Sequence, residues 1–216
     1  MRIIAKAIQY LMLKIMKRLG PSDDDRPAVA AADQLLDKLL PSAFAVFRDE
    51  RFREVCNFGK ISQVEHDRIF NELEVSAIIL CQFCIDDRMA IIGNRDFHFW
   101  ETVRENMPKV FVDKLLEYGV KKSDADLYFD LIKMRHDQYS KIADGNRDHM
   151  ENDKLFSEYK DSQAAMDTLN RVQAIIVGTA DHIRRGKLKK GDELMRLLRS
   201  WLFPLDMEIS KFIRKL

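Results

Sequence analysis

The sequence predicts an all-α fold, a multi-helix antiparallel bundle of about seven or eight helices around one buried helix near residues 62–92. Three observations predict it. Between Val75 and Ile85 only Ser76 and Gln82 are polar, whereas every other helical stretch has a charged side. Gly and Pro number only 8 and 5 among 216 residues, which disfavours a turn-rich β architecture. Apolar residues recur at spacings of three and four along most of the chain.

Composition narrows the class further. Charged residues are 33% and hydrophobic ones 46%, a balance typical of globular chains and not of disordered ones. The net charge of +1 supplies no global field for nucleic acid. Three cysteines, an odd number, fit a reducing compartment better than a disulfide framework, and a cytoplasmic location, at a membrane periphery or away from one, is expected. No stretch is long and apolar enough for a transmembrane helix.

The first unit, residues 1–20, reads as a basic amphipathic helix. Ile4, Ile8, Leu11, Met12, Ile15, Met16 and Leu19 share a face, with Arg2, Lys6, Lys14 and Lys17 opposite and no acid before Asp23. Such a segment suits the bundle's own surface, an anionic membrane, a partner's groove or an organellar presequence. Residues 21–27, with three consecutive aspartates between prolines, read as a linker. Residues 28–216 read as one helical-bundle domain.

Within it, residues 27–40 predict a short helix stopped by Pro41, and residues 43–55 another. Ser62 and Asn57 are both candidate caps for the central helix. On that helix Phe70, Leu73, Ala77, Leu80, Cys84 and Ile91 form one stripe. Ile78, Ile85 and Met89 form a second edge, and Val75, Ile79 and Phe83 a third. A helix apolar all round is buried all round. Gly93 and Asn94 supply a stop.

Residues 96–105 predict a helix with Phe97, Trp100 and Val103 inward, restarted at Pro108 and ended by Gly119. Ser123 and Asp126 have capping-box spacing. The helix they open carries a charged stripe, Asp130, Lys133, Asp137 and Lys141, and stops at Gly145. A long helix is expected over residues 148–185, with Met166, Val172, Ile176, Ala180 and Ile183 inward and Gly178 weakening it or permitting close packing. Asp192 caps a last helix with Leu194, Leu198, Trp201 and Leu202 inward. Pro204 bends or restarts it, and Leu205, Ile209, Phe212, Ile213 and Leu216 continue the apolar face.

Few residues carry a chemical signature. Cys81 and Cys84 have C-x-x-C spacing, but they sit in the most apolar helix, where buried Cys acts as a small hydrophobe. His66-Asp67 and His136-Asp137 are HD dipeptides, and these resemble the metal-binding dipeptide of the HD phosphohydrolases. That resemblance implies a divalent metal activating water, with His136, Asp137, an upstream His98 and a downstream Asp161 or Asp167 as ligands. Asp137 belongs to its helix's charged stripe, while His136 shares a face with Ile132 and Tyr139, so the two should diverge. Asp86 and Asp87, with Asp153, Ser157 and Asp161, resemble the two magnesium-binding helices of terpenoid synthases, which would imply diphosphate chemistry. The third acid of the first motif is replaced here by Arg88-Met89-Ala90.

The expectation is therefore a non-catalytic helical interaction or adaptor protein without a cofactor. Its basic ends, Arg2, Lys6, Lys14 and Lys17 with Arg184, Arg185, Lys187, Lys189 and Lys190, would meet a protein partner or an anionic membrane surface. A homo-oligomer is compatible with this, and nucleic acid is disfavoured. The alternative is a phosphohydrolase or diphosphate-processing enzyme that uses a divalent metal at the His/Asp groups.

Overall fold

A computed structural model describes residues 25–92, 94–152, 162–189 and 191–216. Its elements are helices: α1 (Arg26–Arg48), α2 (Glu50–Val55), α3 (Gln63–Ile91), α4 (Asn94–Glu117), α5 (Lys122–Asn152), α6 (Gln163–Ile183) and α7 (Glu193–Ile213). A single 3-10 turn, Phe58–Lys60, precedes α3. There is no strand among the described residues, and none of their helices is long and apolar enough to cross a membrane.

The expected central helix is α3. It packs against α1, α4, α5, α6 and α7, and every residue from Glu72 to Ile85 is buried. All three apolar edges predicted for it therefore have neighbours, although Ile91 at its end is exposed. Ser62, not Asn57, caps it, its hydroxyl accepting the Glu65 amide at 3.4 Å. Asn57 instead takes a left-handed conformation at the preceding turn. The buried apolar residues form one continuous cluster to which all seven helices contribute.

Several predicted boundaries are corrected. α1 runs straight through Pro41, and the break comes at Asp49, whose carboxylate accepts the Phe52 amide at 2.8 Å and so starts α2. α4 runs through Pro108, and α7 through Pro204. A helix-interior proline costs about 3 kcal/mol. In each case buried side chains on both sides of the proline hold the helix: Leu39 with Ala43, Met107 with Phe111, and Leu202 with Leu205. α5 begins at Lys122, with the Asp124 and Ala125 amides on the Lys121 carbonyl, so the proposed box at Ser123 is not its cap. It also passes Gly145 and is helical as far as Asn152, the last described residue before Ser162. The single long helix expected over 148–185 is not formed, because α6 starts separately at Gln163 with Ser162 as its cap.

Other expectations hold. Asp192 caps α7 through the Leu194 amide at 2.9 Å. Asp130, Lys133, Asp137 and Lys141 are all exposed. Trp100 and Val103 face the core, but Phe97 and Leu216 are exposed. Gly119 ends α4 with a φ of 85°, and the Val120 amide reaches back to the Leu115 carbonyl at 2.9 Å. This is the left-handed turn that glycine permits at a helix end. It sets the corner where Tyr118 and Val120 border a groove.

Candidate functional site

Two concavities hold the polar groups of interest. The first is a cleft of about 360 Å³ at the C-terminal half of α3, between α5 and α6. Asp86, Asp87, Asp144 and Asp167 line it together with Phe83 and Arg171. It thus gathers acids from three helices, two of them the predicted pair on α3.

Arginines occupy that pair. Arg104 donates to Asp86 at 2.6 Å. The buried Arg171 pairs with Asp87 and donates through Nε and Nη2 to the buried Asp206, each at 3.0 Å. Asp206 in turn accepts the Cys84 thiol at 3.3 Å. A guanidinium against each of Asp86 and Asp87 supplies the positive charge that a metal would otherwise supply.

His136 comes near this cleft. Its Nε2 stands 3.9 Å from Asp86, too far for a hydrogen bond, and its ring lies edge-on to Phe83 with centroids 5.1 Å apart. Asp137 points to solvent, as its place in the charged stripe predicts, with its carboxylate 4.0 Å from its neighbour's Nδ1. His98 is exposed beside Glu101 on its own helix and does not join them. His66 stacks on Phe58 and bonds that residue's carbonyl at 2.9 Å, a structural role at the start of α3. Among the described residues no three His, Cys, Asp or Glu side chains are grouped to hold a metal ion. Asp153, Ser157 and Asp161 lie outside the described residues.

The C-x-x-C thiols sit within the core, and Cys56, Cys81 and Cys84 are all unpaired and buried. Burial raises the thiols of Cys56 and Cys84 to about 12, and Cys81 is pushed up by the same cause. The thiolate that redox chemistry or metal ligation needs is disfavoured at each of them.

Of the basic residues, Arg2, Lys6, Lys14, Lys17 and Lys190 lie outside the described residues. Arg184 is engaged inside the chain: it donates to both oxygens of Asp192 at 2.8 Å and to the Val55 carbonyl at 3.1 Å, tying α6, α7 and α2 together. Arg185 is exposed and pairs with Glu65. Lys187 and Lys189 are exposed on the connector.

The second concavity is a groove of about 570 Å³ between α1, α3 and the α4–α5 corner. Leu40 and Phe44 come from α1, Phe70 from α3, Leu115 and Tyr118 from the end of α4, and Tyr128 from α5. Phe44 is 48% exposed and Tyr118 74%. Three acids lie among these apolar walls. Asp37 and Asp67 are at the exposed edge, and Glu74 is 6% exposed. Asp37 accepts Lys114 at 2.8 Å, and Asp67 accepts the side-chain Nε2 of Gln63 at 2.7 Å.

Glu74 has no hydrogen bond or ion pair with any described residue, and burial raises its carboxyl to about 8. Glu72, two residues earlier and equally buried, accepts Arg135 through both oxygens at 2.6 and 3.0 Å. Buried acids ordinarily have such a partner, so Glu74 departs from the rule beside a cavity. Glu74 is not among the residues that the sequence singles out. No family model, no curated protein and no solved structure matches this chain.

Proposed function

We propose that the chain is a non-catalytic interaction protein, a helical scaffold whose recognition site is the groove between α1, α3 and the α4–α5 corner. The observation that carries this reading is the pairing of volume and lining. About 570 Å³ lies within the range of ligand-binding pockets, and its walls are largely apolar and aromatic. Partly exposed aromatic side chains around a concavity are typical anchors for recognition. The exposed connector cations Arg185, Lys187 and Lys189, and the basic residues near the N-terminus, offer a second contact for an anionic partner or membrane surface.

Nile red, a neutral apolar dye, tests the groove. Its fluorescence should rise on the wild-type protein and fall strongly with the double substitution Phe44→Ser and Tyr118→Ser, while the melting temperature changes little. Unchanged dye binding in that variant would overturn the groove as the recognition site. Stoichiometric Mn²⁺ binding with hydrolysis of a phosphodiester, lost on Asp86→Asn, would favour the metal-dependent reading of the cleft instead.

A further inference from the structure

We infer that the groove is a binding site for a small organic cation, an ammonium group carried on an apolar body, with the Glu74 carboxylate as its counter-ion. This rests on the groove being the recognition site and adds the chemical class of its ligand. Three independent features point the same way.

The first is the isolation of Glu74. A buried carboxyl without a partner costs stability even when neutral. Its neighbour Glu72 shows that this helix can supply a carboxylate with a guanidinium. At Glu74 no cation of the described chain fills that place, and the space in front of it is a cavity.

The second is the sign of the charge around it. Among the described residues the groove is lined by Asp37, Asp67 and Glu74 and by no Lys, Arg or His. Of the cations next to it, Lys114 is held by Asp33 and Asp37 at 2.6 and 2.8 Å, and the Arg48 guanidinium lies 5.6 Å from the centroid of the Phe44 ring. The three acids that line the cavity itself favour a cation over an anion entering from the exposed edge.

The third is the wall itself. Phe44, Phe70, Tyr118 and Tyr128 present ring surface to the cavity. Aromatic faces attract a cation and accept an apolar body at the same time. Tyr128 stays protonated, since burial, with Glu74 and Asp67 beside it, raises its hydroxyl.

Proton balance follows directly. The empty site holds Glu74 largely protonated at neutral pH, because its carboxyl titrates near 8. Binding a cation releases that proton to solvent and leaves an ion pair. Affinity for the cation should therefore rise with pH up to about 8 and level off above it. The groups facing Glu74 are Asp67 on its own helix, Asp37 on α1 and Tyr128 on α5. Tyr128 keeps its proton through this window, because burial, with Glu74 and Asp67 beside it, raises its hydroxyl.

The test uses three probes with one apolar body: 2-phenylethylammonium, 2-phenylethanol and 3-phenylpropanoate. They are titrated into the full chain by calorimetry and by protein-observed NMR. At pH 8.5 the ammonium should bind at least about tenfold tighter than the alcohol, as expected for a hydrogen bond to a charged group, and the carboxylate weakest. On the unmodified protein that preference should shrink by about tenfold per pH unit below 8. Glu74→Gln should abolish the preference. Equal binding of all three probes, with Nile red still in the groove, would overturn the cation assignment and leave the groove reading intact. A preference that survives Glu74→Gln, or that ignores pH in the wild type, would remove Glu74 from the role. If neither the probes nor Nile red bind, the groove reading falls as well.

Discussion

Tyr139 of α5 packs directly on the bare Cα of Gly178 on α6. A methyl group at residue 178 would fall inside the van der Waals envelope of the tyrosine's Cε1 and Cδ1, with Cζ at 3.1 Å. The ring is completely buried, and its hydroxyl lies 3.4 Å from Thr179 Oγ1, itself 2.6 Å from Ser76 Oγ on α3. One glycine thus lets α5 approach α6 while a short chain of hydroxyls links both to the central helix. Of the two roles the sequence allows for Gly178, close packing is the one realised.

The sign of Gly178→Ala follows from competing magnitudes. Alanine inside a helix is worth about 1 kcal/mol over glycine. Forcing a methyl into a buried ring costs more, typically about 1–3 kcal/mol and more where neither side can shift. Gly178→Ala should therefore lower the unfolding free energy measured in urea. In a Tyr139→Ala background the clash is gone, and the same substitution should become stabilising. A Gly178→Ala protein more stable than wild type would show that the ring does not sit there.

Glu72 and Arg135 allow a second stability test. Their side chains are 6% and 12% exposed, and the contact is bidentate. Removing one member of a buried pair costs roughly 3–5 kcal/mol, because a charge is left behind without its partner. Arg135→Met should fall near the lower end of that range. Adding Glu72→Gln should recover much of the loss. Two substitutions that simply add would mean the carboxylate and guanidinium do not act as a unit.

The prolines show where local reading fails. Pro41 suggests a stop, Pro108 a restart and Pro204 a bend or restart, and each lies inside a continuous helix. The true break after α1 carried a different local signal, the cap at Asp49. Helix faces were legible because apolar spacing reports burial. Boundaries were not, because packing on both sides of a proline outweighs the lost hydrogen bond. Pro204 is exposed, so Pro204→Ala sacrifices little packing and restores a backbone donor. It should stabilise the protein by about 1–3 kcal/mol, the upper figure being the full helix-interior penalty. A destabilised Pro204→Ala protein would mean that the proline ring itself contributes to the packing of α7.

The site was less legible than the fold. Asp86, Asp87 and His136 do approach one cleft, but Arg104 and Arg171, which occupy the carboxylates, come from distant helices and no local spacing announces them. The groove draws on residues as far apart as Leu40 and Tyr128, a juxtaposition only the tertiary fold supplies. One local signal for Glu74 was available. Residues two apart on a helix face nearly opposite sides, and α3 is wrapped on all sides. Glu72 and Glu74 therefore had to be buried in different surroundings, each needing its own partner.

The titration of Glu74 gives a prediction independent of any ligand. Its carboxyl is raised to about 8 in the folded chain, because burial disfavours the charged form. An unfolded glutamate titrates near 4.3. Below that pH both states hold the proton and the group exerts no pH-dependent strain. As pH rises from about 4.5 toward 8 the unfolded chain releases the proton first, so stability drains away at a slope approaching 1.4 kcal/mol per unit. Above about 8 the folded state also ionises and the loss levels off. Urea unfolding from pH 5 to 9 should show this downward trend in the wild type, and Glu74→Gln should be flatter by that slope across the same interval. The two proteins should be nearly equal in stability at pH 5, with the glutamine variant ahead by several kcal/mol at pH 9. Parallel curves would mean that Glu74 ionises normally in the folded chain, with water or a cation already at its side.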